Sequence, residues 1–66
     1  MKNSIKVQRA INNLTQAELA SKIGVSRQTI NAMEKGKYIP STLLALKLSK
    51  LFKIPVESIF QLEENE

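Results

Sequence analysis

The chain has 66 residues, enough for one domain and one small core but not for two. It contains neither cysteine nor histidine, which excludes disulfide staples and thiolate metal sites and removes the commonest metal ligand and general base. The net charge of +4 is uneven: Glu63, Glu64 and Glu66 are three of the six acidic residues, so residues 1–62 carry ten basic and only three acidic side chains. A basic body with an acidic tail suits a polyanionic partner such as nucleic acid, although a lysine-rich surface alone would look the same. No apolar run approaches the roughly 20 residues of a membrane span, and the N-terminus lacks a signal-peptide core. The expectation is a cytoplasmic protein without a membrane partner, held together by helix packing with help from dimerisation.

Met1 to Asn3 are too few to form an element alone, but they can pair as a short strand with the C-terminal segment. Asn3 or Ser4 caps a first helix running to about Ile11, with Ile5 buried. Val7, Ala10 and Ile11 give that helix a second apolar edge, Lys6 and Gln8 face water, and Arg9, one turn after Ile5, points toward the core. Asn12 and Asn13 end the helix, because asparagine tolerates the left-handed C-cap conformation.

Thr15-Gln16-Ala17-Glu18 then forms a T-x-x-E capping box, with Leu14 and Leu19 spaced as a hydrophobic staple across it. Leu19, Ala20 and Ile23 form the stripe of the second helix. Gly24 stops that helix, Val25 points back between it and the next, and Ser26 caps a third helix over about 27–35 that ends at Gly36. Ile30 and Met33 are its buried stripe, and Ala20 is small where the third helix must cross closely. Residues 16–36 therefore read as a helix-turn-helix unit.

Pro40 holds residues 37–39 out of helix. Ser41 caps a fourth helix, about 42–52, with Leu44, Leu48, Leu51 and Phe52 buried and Lys47, Lys50 and Lys53 solvated. Pro55 opens a short fifth helix, 55–60, with Glu57 near its positive end. A short extended piece and a frayed acidic end, residues 63–66, follow. The fold class is all-α: five helices with at most a minor strand pairing of the termini.

With Ile30 and Met33 buried, the third helix turns outward Arg27, Gln28, Asn31 and Lys35, with Ala32 beside them and Ser26 and Thr29 at its start. Arginine matches guanine O6 and N7, glutamine and asparagine match adenine N6 and N7, hydroxyls are versatile, and alanine can touch a thymine methyl. Such a face suits base reading in the major groove; the alternative is an exposed polar face, which ordinarily carries more Glu–Lys pairs. Gln16, Thr29, Lys35, Lys37 and Tyr38 would serve phosphates, Gln16 because free N–H groups at a helix start favour an anion. Lys37 could equally be a solvated loop residue. Arg9 and Glu34 form a partly buried ion pair between the first and third helices. Ile54, Val56, Ile59, Phe60 and Leu62 exceed what a two-turn helix needs, so Ile59, Phe60 and Leu62 are candidates for a two-fold interface, with closure of the monomer core as the alternative. No nucleophile, base, paired-carboxylate pocket or glycine-rich phosphate loop supports an enzyme.

The stretch TQAELASKIGVSRQTINAMEKGKYIPS, and with it residues 5–60, resembles the phage-repressor and Cro-like helix-turn-helix family, also called the XRE family. SRQTIN, EKGKY and PSTLLALKLSKLF are most similar to its short stand-alone regulators of the cytolysin-repressor type. The resemblance implies a five-helix lambda-repressor-like domain that binds double-stranded DNA as a homodimer at an operator and uses no cofactor; the lack of cysteine and histidine already argues against a metal site. It places Gln16 at the family's phosphate- or base-contacting glutamine and Ser26, Arg27, Gln28 and Ala32 at its base-reading positions. Arg9 and Glu34 fall on its interhelix ion pair. Where the family has leucine and a charged residue, this chain has Gln8 and Ile11, so its first helix either packs in a slightly rotated register or offers Val7 and Ile11 to a partner. The leading expectation is a sequence-specific repressor. The alternatives are an antitoxin that also binds a toxin enzyme, and a protein- or RNA-interaction module using the same fold.

Overall fold

In the computed structural model, which describes residues 1–66, the chain runs β1 (Lys2–Asn3), α1 (Ile5–Ile11), α2 (Gln16–Ile23), α3 (Arg27–Glu34), α4 (Thr42–Phe52), α5 (Val56–Ile59) and β2 (Phe60–Gln61). The expected five helices form, and the two termini pair as antiparallel strands in the register Lys2 with Gln61 and Asn3 with Phe60. The Ser4 backbone N–H and hydroxyl extend this junction, donating to the carbonyls of Ile59 and Ser58 at 2.8 and 2.9 Å.

One apolar cluster holds these elements, and each of the five helices contributes to it. Ile5, Leu19, Ile30, Met33, Leu48 and Ile59 are fully enclosed, and Ala20, Ile23, Leu44, Phe52 and Phe60 complete the cluster without any buried polar side chain. At about 25 cal/mol per Å² of apolar area removed from water, such side chains are the main source of stability in so small a chain.

The first four helices end alike. Asn13, Gly24, Gly36 and Lys53 each adopt a left-handed backbone conformation. The amide after each of them bonds back five residues: Leu14 to Arg9, Val25 to Ala20, Lys37 to Ala32 and Ile54 to Ser49. This is the Schellman arrangement, which satisfies carbonyls the helix leaves free. Gly24 and Gly36 end α2 and α3 as expected. In α1 the left-handed residue is Asn13 alone, since Asn12 stays at φ −94°. Lys53 was legible only as a surface cation, yet it takes φ +59°. Its strain is offset by the Ser49 hydroxyl, which donates to the Ile54 carbonyl just beyond it.

Some expectations about the helices need correction. Lys35 is the cap of α3, not its last turn, and Phe60 leaves α5 to enter β2. Leu51 is half-buried at the edge of the core. The second apolar edge of α1 packs on nothing: Val7 and Ile11 are 58% and 66% exposed, while Gln8 is the half-buried residue. Val7 and Ile11 each lie two residues on from Ile5 and Arg9, about 200° round the helix and so on its opposite face. Gln8, three residues after Ile5, shares the inward side.

Candidate nucleic-acid interface

The unit spanning α2 and α3 is built by short-range hydrogen bonds. The Thr15 hydroxyl accepts from the Glu18 N–H at 3.0 Å, and the Glu18 carboxylate accepts from the Thr15 N–H at 2.9 Å, closing the capping box. The Thr15 amide thereby holds the Glu18 carboxyl below its ordinary range. Ser26 caps α3 in the same way, accepting from the Thr29 N–H at 3.2 Å. Between the helices, Gly24 at φ +76° makes the turn and Val25 tucks against the core. Ala20 is 3% exposed beneath α3, as its small size predicts.

A polar network then locks α1, α2 and α3 together. Arg9 donates through Nε to Glu34 Oε2 at 2.6 Å, through Nη2 to Glu34 Oε1 at 3.2 Å and through Nη1 to the Leu14 carbonyl at 3.0 Å. The hydrogen bond to Glu34 raises the Arg9 guanidinium above its ordinary value, so it stays charged at any working pH. Burial pushes the Glu34 carboxyl up, but the donors from Arg9 and Gln16 and the charge of Arg9 outweigh it and hold the group below the ordinary carboxylate range. Gln16 Nε2 completes the network, donating to Glu34 Oε1 at 3.1 Å and to Asn31 Oδ1 at 3.3 Å.

This network shapes the outer surface. Glu34 is the one acid on α3, and its charge is turned inward and neutralised by Arg9. What remains outward is a cleft of about 160 Å³ lined entirely by Gln16, Arg27, Gln28 and Asn31. Arg27 and Gln28 are exposed, as is Ser26; Asn31 and Ala32 are half-buried beside them. Of the candidate phosphate residues, Lys35, Lys37 and Tyr38 are exposed past the end of α3. Thr29 is half-buried, its hydroxyl 3.0 Å from that of Ser26. The Gln16 side chain is drawn inward. Both side-chain N–H groups are spent on Asn31 and Glu34, and its remaining oxygen is an acceptor, so its side chain cannot donate to a phosphate as it stands. The backbone N–H groups that open α2 remain for that role.

The helix-turn-helix family model HTH_3 matches residues 5–59, from α1 to the end of α5. The chain belongs to the XRE-type helix-turn-helix family. This is a family of DNA-binding regulators and not of enzymes. Among its relatives, an uncharacterized HTH-type transcriptional regulator of Methanocaldococcus jannaschii is 58% identical over 66 residues, covering 100% of both chains. The uncharacterized HTH-type transcriptional regulator YgzD of Bacillus subtilis is 50% identical over 64 residues, 97% of each chain. One from Archaeoglobus fulgidus is 48% identical over 66 residues, covering 100% of this chain and 93% of its own.

Within the family frame, two features escaped the sequence. Asn3 is the link between the paired termini and the end of α3: its Nδ2 donates to the Met33 carbonyl at 2.7 Å while its Oδ1 accepts from the Ile5 N–H at 3.2 Å. Its partner lies 30 positions away, and no local pattern signals such a bond. The second concerns the proposed two-fold interface. Ile59 is fully buried and Phe60 is 9% exposed, so the monomer core has consumed both and Ile59 has no surface to give. Of the three candidates only Leu62 projects freely, 75% exposed. The other large exposed apolar groups nearest the fourth helix are Ile39, Leu43 and Leu46. No helix is long and apolar enough to cross a membrane.

Proposed function

We propose that this regulator reads a palindromic operator in the DNA major groove as a homodimer, and represses in the cytoplasm by occupying DNA that transcription would use. One observation carries the base-reading part: the outward face of α3 opens into a cleft walled only by Gln16, Arg27, Gln28 and Asn31, with the sole acid of that helix paired inward. Ser26, Arg27, Gln28, Asn31 and Ala32 are the candidate base contacts. Lys35, Lys37, Tyr38, Thr29 and the Gln16 backbone amide are the candidate phosphate contacts, which position the helix without carrying sequence information.

A homodimer is supported by two considerations. A single module of this kind covers only a few base pairs, and dimers bind half-sites about one helical turn apart. The surface also offers apolar area to cover: a groove of about 290 Å³ lined by Met1, Ile39, Ala45, Leu46, Val56 and the edge of Phe60, and Leu62 beyond β2. That same surface supports the second reading, an antitoxin whose partner is a toxin enzyme instead of a second copy. Sedimentation of Leu46→Asp and Leu62→Asp separates their roles: a variant that remains dimeric removes its residue from the interface.

The deciding experiment is selection of bound duplexes from a random pool at physiological salt. Enrichment of a palindrome with half-sites about one turn apart is expected, with Arg27→Ala and Gln28→Ala each costing on the order of 1–3 kcal/mol of discrimination and Lys37→Ala weakening all duplexes alike. An unenriched pool with a steep salt dependence would instead favour a protein- or RNA-interaction module.

A further inference from the structure

We propose that Asn31 presents only its amide N–H groups to the bases, so that the operator position it meets carries guanine or thymine and not adenine or cytosine. This rests on the groove-reading function above and adds the chemistry of one contact to it.

The argument starts from Glu34. A carboxylate paired with Arg9 can only accept, and Arg9 fills Oε2 at 2.6 Å and shares Oε1 at 3.2 Å. The Gln16 atom 3.1 Å from that Oε1 must therefore be the amide nitrogen, because an oxygen there would set acceptor against acceptor. The same nitrogen lies 3.3 Å from the Asn31 amide. Were the Asn31 nitrogen turned inward, two donors would meet, so its oxygen faces Gln16 and its N–H₂ faces the cleft. One partly buried carboxylate thus orients two amides in sequence, and the outer one is the half-exposed group among Arg27 and Gln28.

The consequence follows from the major-groove edges. Asparagine reads adenine with both ends of its amide, the oxygen accepting from N6–H₂ and the nitrogen donating to N7. With the oxygen turned toward Gln16, the N–H₂ is the end of the amide that meets the base edge, and it donates. Guanine offers two acceptors, N7 and O6, and thymine offers O4; cytosine shows a donor, and adenine sets one beside its N7. Gln16 is then a positioning residue for Asn31, and Arg9, from another helix, is one step behind it.

The selection is run on the wild type and three variants, each first checked for helical circular dichroism and a cooperative melt. Asn31→Ala locates the contact by erasing preference at one position of each half-site. Asn31→Asp keeps an acceptor toward Gln16 but replaces the outward N–H₂ with oxygen. It is expected to move that position from guanine or thymine to cytosine or adenine, by on the order of tenfold in relative affinity. Gln16→Met leaves the Arg9–Glu34 pair in place but frees Asn31 to turn, and adenine should then enter at the same position. A wild-type preference for adenine or cytosine there, or an Asn31→Asp variant that selects the same base as wild type, would overturn the inference while the groove-reading function stands. So would a palindrome in which Asn31→Ala changes no position. A wild-type pool that shows no enrichment overturns the groove-reading function itself.

Discussion

Between Thr15 and Lys37 the helix starts and stops are made by hydrogen bonds that span three to five residues, as in Thr15 with Glu18 and Lys37 with Ala32. The junction of the termini is made by contacts that span 54 to 65 positions, as in Ser4 with Ser58 and Met1 with Glu66. The first region is specified by the order of its own residues and needs the core only to hold it in place. The second has no local reason to form, since bringing distant ends together costs loop-closure entropy that only the finished core offsets. Asn3 joins the two, so the position of the end of α3 depends partly on whether the termini close. A short chain can thus keep α3 locally encoded while anchoring it through long-range contacts.

The sharpest way to break this comparison is at Ile59, which belongs to the terminal junction and to the core. Ile59→Ala is expected to cost about 2–5 kcal/mol in chemical denaturation, a large share of a small domain's stability. If the whole chain is one cooperative unit, α2 and α3 are lost in the same transition; two separate transitions would show that the helix-turn-helix stands without the junction.

Arg9→Met comes next, at about 2 kcal/mol, because it strands the Glu34 carboxylate in a partly buried place. The double variant Arg9→Met/Glu34→Leu should recover part of that loss, a result that equal or greater destabilisation would contradict. The same pair sets an acid limit. Since the folded state lowers the Glu34 value, its contribution is fully present above the ordinary carboxylate range and is lost as pH falls through the folded value. Stability of the wild type should therefore decline more steeply than that of Glu34→Gln below about pH 4.

A smaller pair of effects contrasts the regions directly. Thr15→Ala and Asn3→Ala should each cost about 1 kcal/mol, the first by removing a cap and the second by removing a bond across the fold. Hydrogen exchange distinguishes them: the first is expected to fray only the start of α2, the second to speed exchange both in the strands and at the end of α3. Exchange confined to the first residues in Asn3→Ala would uncouple the termini from α3.

The smallest effect is expected from acetylating the N-terminus. The Met1 ammonium lies 3.1 Å from Glu66 and 3.4 Å from Glu63, and the hydrogen bond to Glu66 raises it above its ordinary value. These groups are solvated, so any shift in melting temperature should vanish at high salt. A shift that survives salt would mean the contact acts through packing.

The sequence was most informative where chemistry repeats at short range. The T-x-x-E box, Gly24, Ser26 and Ser41 located the starts and stops that the structure shows, and the apolar stripes of α2, α3 and α4 named most of the core. The Arg9–Glu34 pair was legible too, because each residue was placed on an inward helix face. Less was legible where a residue's surroundings come from elsewhere in the chain. Lys53 takes a glycine's conformation because Ser49 and the packing of α4 against α5 support it. Gln16 was assigned to phosphate from its place at a helix start, but its side chain is drawn to Asn31 and Glu34 on the neighbouring helix. Ile59 and Phe60 resembled surplus apolar residues until the fold enclosed them.

By itself, then, the amino-acid order determined the five helices, the turn between α2 and α3, and the types of side chain on the outward face. Periodicity and capping act over one or two helical turns, and they need no knowledge of the rest of the chain. The tertiary structure alone decided which apolar residues remained as surface, how the termini met, and which way the amides of Gln16 and Asn31 turned. Those outcomes depend on groups distant in sequence competing for the same few buried places and hydrogen-bond partners, and that competition is resolved only when the helices are packed.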